Sequence, residues 1–185
     1  MIRYVLPMLL MGSSALAQDT GLAAWSKIHD VFSHPRCVNC HVGPDNVPIW
    51  SGSSYGPKVR PHGMSINAGT SRRGIESIAC KACHSEHNVP LPHGPPGAHG
   101  WRLAPVTMQW FGKSSAEICA QIKDPTRNGA KLIIAEVAEH IKHDDPLVLW
   151  GWDPGPGREP APYSKDQLMA FLEDWDKAGA PCPTR

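Results

Sequence analysis

Cys37-Val38-Asn39-Cys40-His41 and Cys80-Lys81-Ala82-Cys83-His84 are the two stretches on which the reading of this chain turns. Each is a Cys-X-X-Cys-His unit, the attachment pattern of c-type haem. The spacing has a chemical reason. Two thiols three residues apart reach the two vinyl groups on one edge of a porphyrin, and the adjacent imidazole is carried beneath the macrocycle to bind iron. Thirty-nine residues separate Cys40 from Cys80, wider than the roughly 15–20 of a zinc site made from two Cys-X-X-Cys pairs. A thioredoxin-like motif needs a βαβ setting, which the surrounding pattern lacks. The sequence therefore predicts two covalently bound haems. Cys37 and Cys40 hold the first, Cys80 and Cys83 the second, and His41 and His84 are the proximal iron ligands.

The ligand on the far side of each iron sets the chemistry. Methionine opposite histidine raises the potential and closes the iron to other ligands, whereas an open position permits binding or catalysis. Met64 follows His41 by 23 residues and Met108 follows His84 by 24. Both methionines lie in proline- or glycine-containing loops. The paired offset predicts Met64 on the first iron and Met108 on the second. His62 is the alternative to Met64. His87, His93, His99, His140 and His143 are the alternatives to Met108. A lone methionine is more commonly core filler, so the argument rests on the two offsets together. His34 reads as a packing or propionate neighbour.

The N-terminus predicts export. Met1-Ile2-Arg3 supplies a positive charge, Tyr4 to Met11 an almost continuous apolar run, and Ala15-Leu16-Ala17 a cleavage pattern before Gln18. The apolar run is shorter than the ~20 residues a membrane span requires. Residues 1–17 are thus expected to be a signal peptide, leaving a periplasmic chain with no membrane span and an oxidising compartment suited to haem attachment. Removing Arg3 brings the formal charge from +1 to zero, and haem propionates make the loaded protein mildly acidic. No basic face suggests nucleic acid as a partner.

Among 185 residues, 19 are proline and 17 glycine, well above the usual combined share of about 12%. Such a chain forms long loops and needs something besides continuous helix packing to organise its core. Residues 20–33 predict a helix through Ala23, Trp25, Ile28 and Phe32, ended by Pro35. Residues 42–73 and 85–107 read as loop, with a short helix expected from Gly74 to Ala82. Ser114-Ser115-Ala116-Glu117 and Ser164-Lys165-Asp166-Gln167 are capping boxes. The first opens a helix to about Lys123. The second opens one whose Leu168, Phe171, Leu172 and Trp175 form a core stripe. Between them, 129–142 predicts a helix with Leu132, Ile133, Val137 and Ile141 on one side, and 151–162 a loop. Cys119 and Cys182, the leftover pair in an oxidising compartment, predict a disulfide. Trp101, Trp110, Trp150 and Trp152 are expected as aromatic walls near the second haem.

The helix leading into Cys37 resembles the one that precedes the haem motif in many class I cytochromes. More broadly, His34-Pro35-Arg36-Cys37-Val38-Asn39-Cys40-His41, Leu103-Ala104-Pro105 with Met108 and Trp110, Lys123-Asp124-Pro125 with Asn128-Gly129, and Trp150-Gly151-Trp152 resemble small dihaem c-type cytochromes of proteobacteria. Those are the ones that accompany isoquinoline 1-oxidoreductase-type molybdenum hydroxylases. The resemblance implies a redox protein partner of the molybdenum hydroxylase kind, from which the cytochrome accepts electrons.

The expected fold is mainly α, loop-rich and cytochrome c-like. Residues 18–73 form the first haem-binding unit and 74–185 the second, in one compact body. The expected function is electron transfer to or from a partner oxidoreductase. The alternative is a dihaem enzyme of the peroxidase or thiosulfate dehydrogenase type, with an open distal site and His62, His99 and Glu86 as acid–base groups.

Overall fold

The computed structural model describes residues 11–131, 134–142 and 145–184. Among them the fold is helix-rich. Helix α1 spans Met11–Phe32 and α2 Pro35–Val38; α3 spans Ser115–Ile122, α4 Ile134–Lys142, α5 Pro146–Leu149 and α6 Lys165–Lys177. The only ladder among the described residues joins β1 (Ile49–Trp50) to β2 (Arg60–Pro61), antiparallel, with Trp50 opposite Arg60. Short 3-10 turns punctuate the loops at Ser53–Tyr55, Gly63–Ser65, Cys80–Ala82 and Val106–Met108.

Both capping boxes form. Ser114 accepts from the Glu117 amide while the Glu117 carboxylate accepts from the Ser114 amide, and Ser164 and Gln167 do the same at α6. Each satisfies two of the donors that a helix start leaves unpaired. The apolar stripes then meet. Trp25, Ile28, Val31 and Phe32 of α1 bury against Leu168, Leu172 and Trp175 of α6, with Ile118 and Ile122 of α3 and Val137 and Ile141 of α4 closing the core. Trp25 and Trp175 lie 4.9 Å apart between ring centroids. Their indole N–H groups donate to Ser115 Oγ and the Pro181 carbonyl, both at 2.8 Å. Cys119 and Cys182 are joined by a disulfide that fastens the chain after α6 to α3.

Several elements differ from expectation. The helix expected over 129–142 is α4, from Ile134, with residues 129–131 non-helical, and the strand pair β1–β2 lies within the expected 42–73 loop. Helix α1 starts at Met11, ahead of the expected cleavage site. Residues 74–79 do not form a helix. Gly74 takes a left-handed φ of 71°, and its amide reaches back to Ala68 while the Cys80 amide reaches Arg73, so the segment closes on itself and only Cys80–Ala82 coils. Helix α5, with Asp145 capping the Leu147 amide and Pro146 at its first position, lies where no element was expected. Leu132, Ile133 and His143 fall outside the described residues, as do Met1 to Leu10 of the expected signal.

Candidate functional site

The two Cys-X-X-Cys-His segments adopt the same turn. In the first, the amides of Cys40 and His41 both donate to the Cys37 carbonyl, each at 3.2 Å. In the second, those of Cys83 and His84 both donate to the Cys80 carbonyl, at 3.2 and 3.0 Å. One helical turn therefore places both thiols and the imidazole of each motif on adjoining positions of a coil. At the first motif the turn is prepared locally: His34 caps α2 by accepting the Arg36 amide, and Pro35 occupies its first position.

Each histidine is held in the same way. His41 Nδ1 lies 2.7 Å from the Met108 carbonyl, and His84 Nδ1 lies 2.7 Å from the Pro96 carbonyl. A carbonyl has no proton to give, so Nδ1 carries the hydrogen in both rings. The neutral ring then keeps its lone pair on Nε2, the form that binds iron, with its orientation fixed by the partner on Nδ1. Each ring also lies on an indole. His41 stacks on Trp110 at 3.6 Å and 7° from parallel, and His84 on Trp101 at 4.5 Å and 4°. Burial lowers the His41 pKa to about 4, against a raising contribution from the Met108 bond, so the ring is neutral at ordinary pH.

Burial likewise pushes the Cys37 thiol up to about 12 and Cys40 up to about 11. These are not poised thiolates of the redox-motif kind. The thiols of Cys37, Cys40, Cys80 and Cys83 are all unbridged. Among the described residues no group of three or more His, Cys, Asp or Glu converges to hold a bare metal ion.

A cavity open on one side lies between the motifs. Cys40, Cys80, Cys83 and His84 line it together with His62 and Met64. Its aromatic walls are Trp50, Tyr55, Trp101 and Trp150, and Arg36, Arg102 and Arg158 also face it. Trp150 is positioned through Asn88, which accepts its indole N–H at 2.9 Å and also takes the Gly97 amide. Gly97 has a steric reason: a Cβ there would run into the carbonyl oxygens of His87 and Ser85.

Arg36 supplies a specific test of what this space suits. Only 5% of it is exposed, between the rings of Tyr55 at 5.9 Å and Trp150 at 5.5 Å. One terminal nitrogen donates to the Ser51 carbonyl at 3.1 Å and lies 3.7 Å from Glu159. Its Nε is buried without a partner, an expensive state for a guanidinium N–H. Flat apolar walls, an orphaned cationic donor and the His84 imidazole fit one porphyrin with carboxylate arms; His41 does not line this space.

The structure sorts the sequence candidates by place. His62 and Met64 are brought to the cavity beside His84. Met64 is 79% exposed and its backbone is left-handed, φ 61°. Met108 is brought to His41 through its main chain, while its side chain packs on the helical core. Trp101 and Trp150 stand near His84, whereas Trp110 belongs to His41 and Trp152 packs on the helical core. His99 and Glu86 pair with each other at 2.8 Å on the surface. His93 lies against Tyr55 and His140 on α4. The two expected units also interlock, because Trp110 packs on His41 while Trp50, Tyr55 and His62 help to line the cavity of His84.

Sequence reasoning missed Arg72. It is 8% exposed, and its guanidinium donates to the carbonyls of Val42, Gly43 and Ala104 at 3.0, 2.9 and 2.7 Å. That ties the loop after the first motif to the segment leading to Met108. Arg158, also buried, donates to Tyr55 Oη at 2.6 Å and to the Gly94 carbonyl, joining the wall of the cavity to the loop below His84. Neither role has a local sequence signal.

No protein-family model, no curated protein and no solved structure matches this chain.

Proposed function

We propose that this chain is a dihaem c-type cytochrome that carries electrons to or from a partner oxidoreductase in the periplasm. What carries the reading is the repetition of one arrangement: a Cys-X-X-Cys-His turn whose histidine has Nδ1 on a main-chain carbonyl and its face on a tryptophan, present at both His41 and His84. Cys37 and Cys40 form thioethers to one porphyrin, Cys80 and Cys83 to the other, and Arg36 takes a propionate on its unpartnered Nε. When bound, each haem supplies an iron that cycles between ferrous and ferric states.

The protein's part is to fix the ligands. The Met108 and Pro96 carbonyls make each imidazole more basic through Nδ1 and hold its orientation, and the indoles prevent the rings from turning. Met64 is the sequence candidate for the first iron and Met108 for the second. The partner is a redox protein, with a molybdenum hydroxylase as the form suggested by resemblance. No described helix is long and apolar enough to cross a membrane.

Spectroscopy and turnover of the purified exported protein test this function together. Low-spin iron at both sites, reversible reduction and no turnover of peroxide or thiosulfate are expected. High-spin iron at both sites with turnover of either substrate would replace carriage by catalysis.

A further inference from the structure

We infer that His62 is the far-side ligand of the second haem iron, so that this centre is bis-histidine with His84; the inference rests on the dihaem reading above. The sequence offset assigned Met108 to that iron and weighed His62 only for the first. The structure places His62 elsewhere. Its ring centroid lies 6.0 Å from that of His84, in the cavity that Cys80 and Cys83 also line. Two imidazoles on opposite sides of one metal, each bonded at about 2.0 Å, put their centroids about 6 Å apart. The observed separation, with the rings 68° from parallel, allows an iron between them.

The hydrogen-bond geometry agrees. His62 Nδ1 lies 2.9 Å from the Gly63 carbonyl, so Nδ1 donates there and Nε2 is the ring nitrogen left for a metal. His41 and His84 share this pattern. His34 does not, because its Nδ1 accepts the Arg36 amide and the hydrogen of the neutral ring is on Nε2. His99 has Nδ1 on Glu86, but that pair stands on the surface.

The backbone also fixes His62 in place. Its amide donates to the Pro48 carbonyl at 2.8 Å, immediately after β2, and its ring lies 5.9 Å from that of Trp50 on the paired strand β1. The strand pair has an evident purpose in this arrangement: it carries one imidazole to the cavity. Met108 is less well placed as its rival. Its carbonyl is engaged with His41 and its side chain packs on the helical core. Bis-histidine ligation places the second centre at a lower potential than a His/Met centre.

The test compares the exported wild-type protein with His62→Ala, His62→Met and Met108→Leu, each read by mass, electron paramagnetic resonance and a potentiometric titration. All four are expected to carry two haems by mass, which keeps the dihaem reading separate from the ligand. His62→Ala should convert one of the two irons from low to high spin, and added imidazole should restore it. His62→Met should raise one of the two midpoint potentials and add a sulfur-to-iron band at the red end of the ferric spectrum. Met108→Leu should leave both irons low spin. The inference is overturned if His62→Ala keeps both low-spin signals with unchanged potentials, or if Met108→Leu is the variant that opens the second iron. A wild-type protein without haem would overturn the dihaem reading itself, and this inference with it.

Discussion

The imidazole of His41 lies face to face with the indole of Trp110, 3.6 Å between centroids and 7° from parallel. Trp110 in turn stacks on Phe32 at 4.6 Å, and Phe32 meets Trp25 edge-on at 6.5 Å. The first motif is therefore seated on the helical core through a run of rings, and α1 both leads into Cys37 and supports the ring beside it. Trp101 and Trp150 give His84 a similar seat, at 5.0 Å from each other and nearly perpendicular. The stacking links fold stability to the site.

Trp110→Ala is expected to cost about 3–5 kcal/mol, the range for emptying a buried aromatic site. It should also loosen His41, visible as a broadened or shifted spectrum for one haem. Trp152→Ala, at a partly exposed position on the edge of the core, should cost less. Denaturant unfolding followed by fluorescence and by the haem absorption band checks both effects.

Arg72→Ala removes the donors to three main-chain carbonyls. Leaving such acceptors buried and unpaired costs about 1–3 kcal/mol each before relaxation. A loss of roughly 3 kcal/mol is expected, with Arg72→Lys recovering only part of it because an ammonium lacks the planar fork. Thermal or denaturant melts of the three proteins decide it.

The Cys119–Cys182 bridge closes a segment with a sequence separation of 63. In the chain-entropy model this contributes about 4 kcal/mol. The double Cys119→Ser, Cys182→Ser variant should unfold at correspondingly lower denaturant concentration while its haem spectrum stays unchanged. A changed spectrum would mean that the bridge also shapes the site.

Acid should weaken the fold through two surface carboxylates. Hydrogen bonds from the Ser71 side chain and amide are the main cause lowering Glu76 from 4.5 to about 2. The Ser114 amide, followed by its hydroxyl, lowers Glu117 by a similar amount. A carboxyl whose folded pKa is depressed contributes stability above its unfolded value and loses it as pH falls through the folded one. The loss is expected between pH 4.5 and about 2, and a Glu76→Gln, Glu117→Gln double variant should show a shallower decline there. Thermal melts across that window measure it.

How much of this was legible in the sequence depended on distance along the chain. Ser114–Glu117 and Ser164–Gln167 announce their helices because every partner in a capping box lies within four residues. The stripe Leu168, Leu172 and Trp175 declares its buried face for the same reason. The motif turns at Cys37 and Cys80 are local as well. Asp145-Pro146 carried an N-terminal signal for α5 that periodicity alone overlooked, since one turn shows no period. The segment 74–79 misled because Gly74 and its return contacts to Ala68 are set by the loop it closes. What the sequence hid are the long-range partnerships. Met108 serves His41 across 67 residues through its carbonyl, an atom common to every residue type. The offsets from His41 to Met64 and from His84 to Met108 measure distance along the chain, whereas the loops that cross between the motifs bring His62 and Met64 beside His84 and the Met108 carbonyl to His41.

The central claim is that two porphyrins are joined to this polypeptide by thioethers at Cys37, Cys40, Cys80 and Cys83. Its most direct measurement is the intact mass of the denatured protein after export in a host that matures c-type cytochromes, beside a Cys37→Ala, Cys40→Ala variant. The prediction is a gain of two haem groups that survives acid–acetone extraction, falling to one in the variant. A wild-type mass equal to that of the bare chain, with all colour removed by extraction, would contradict it.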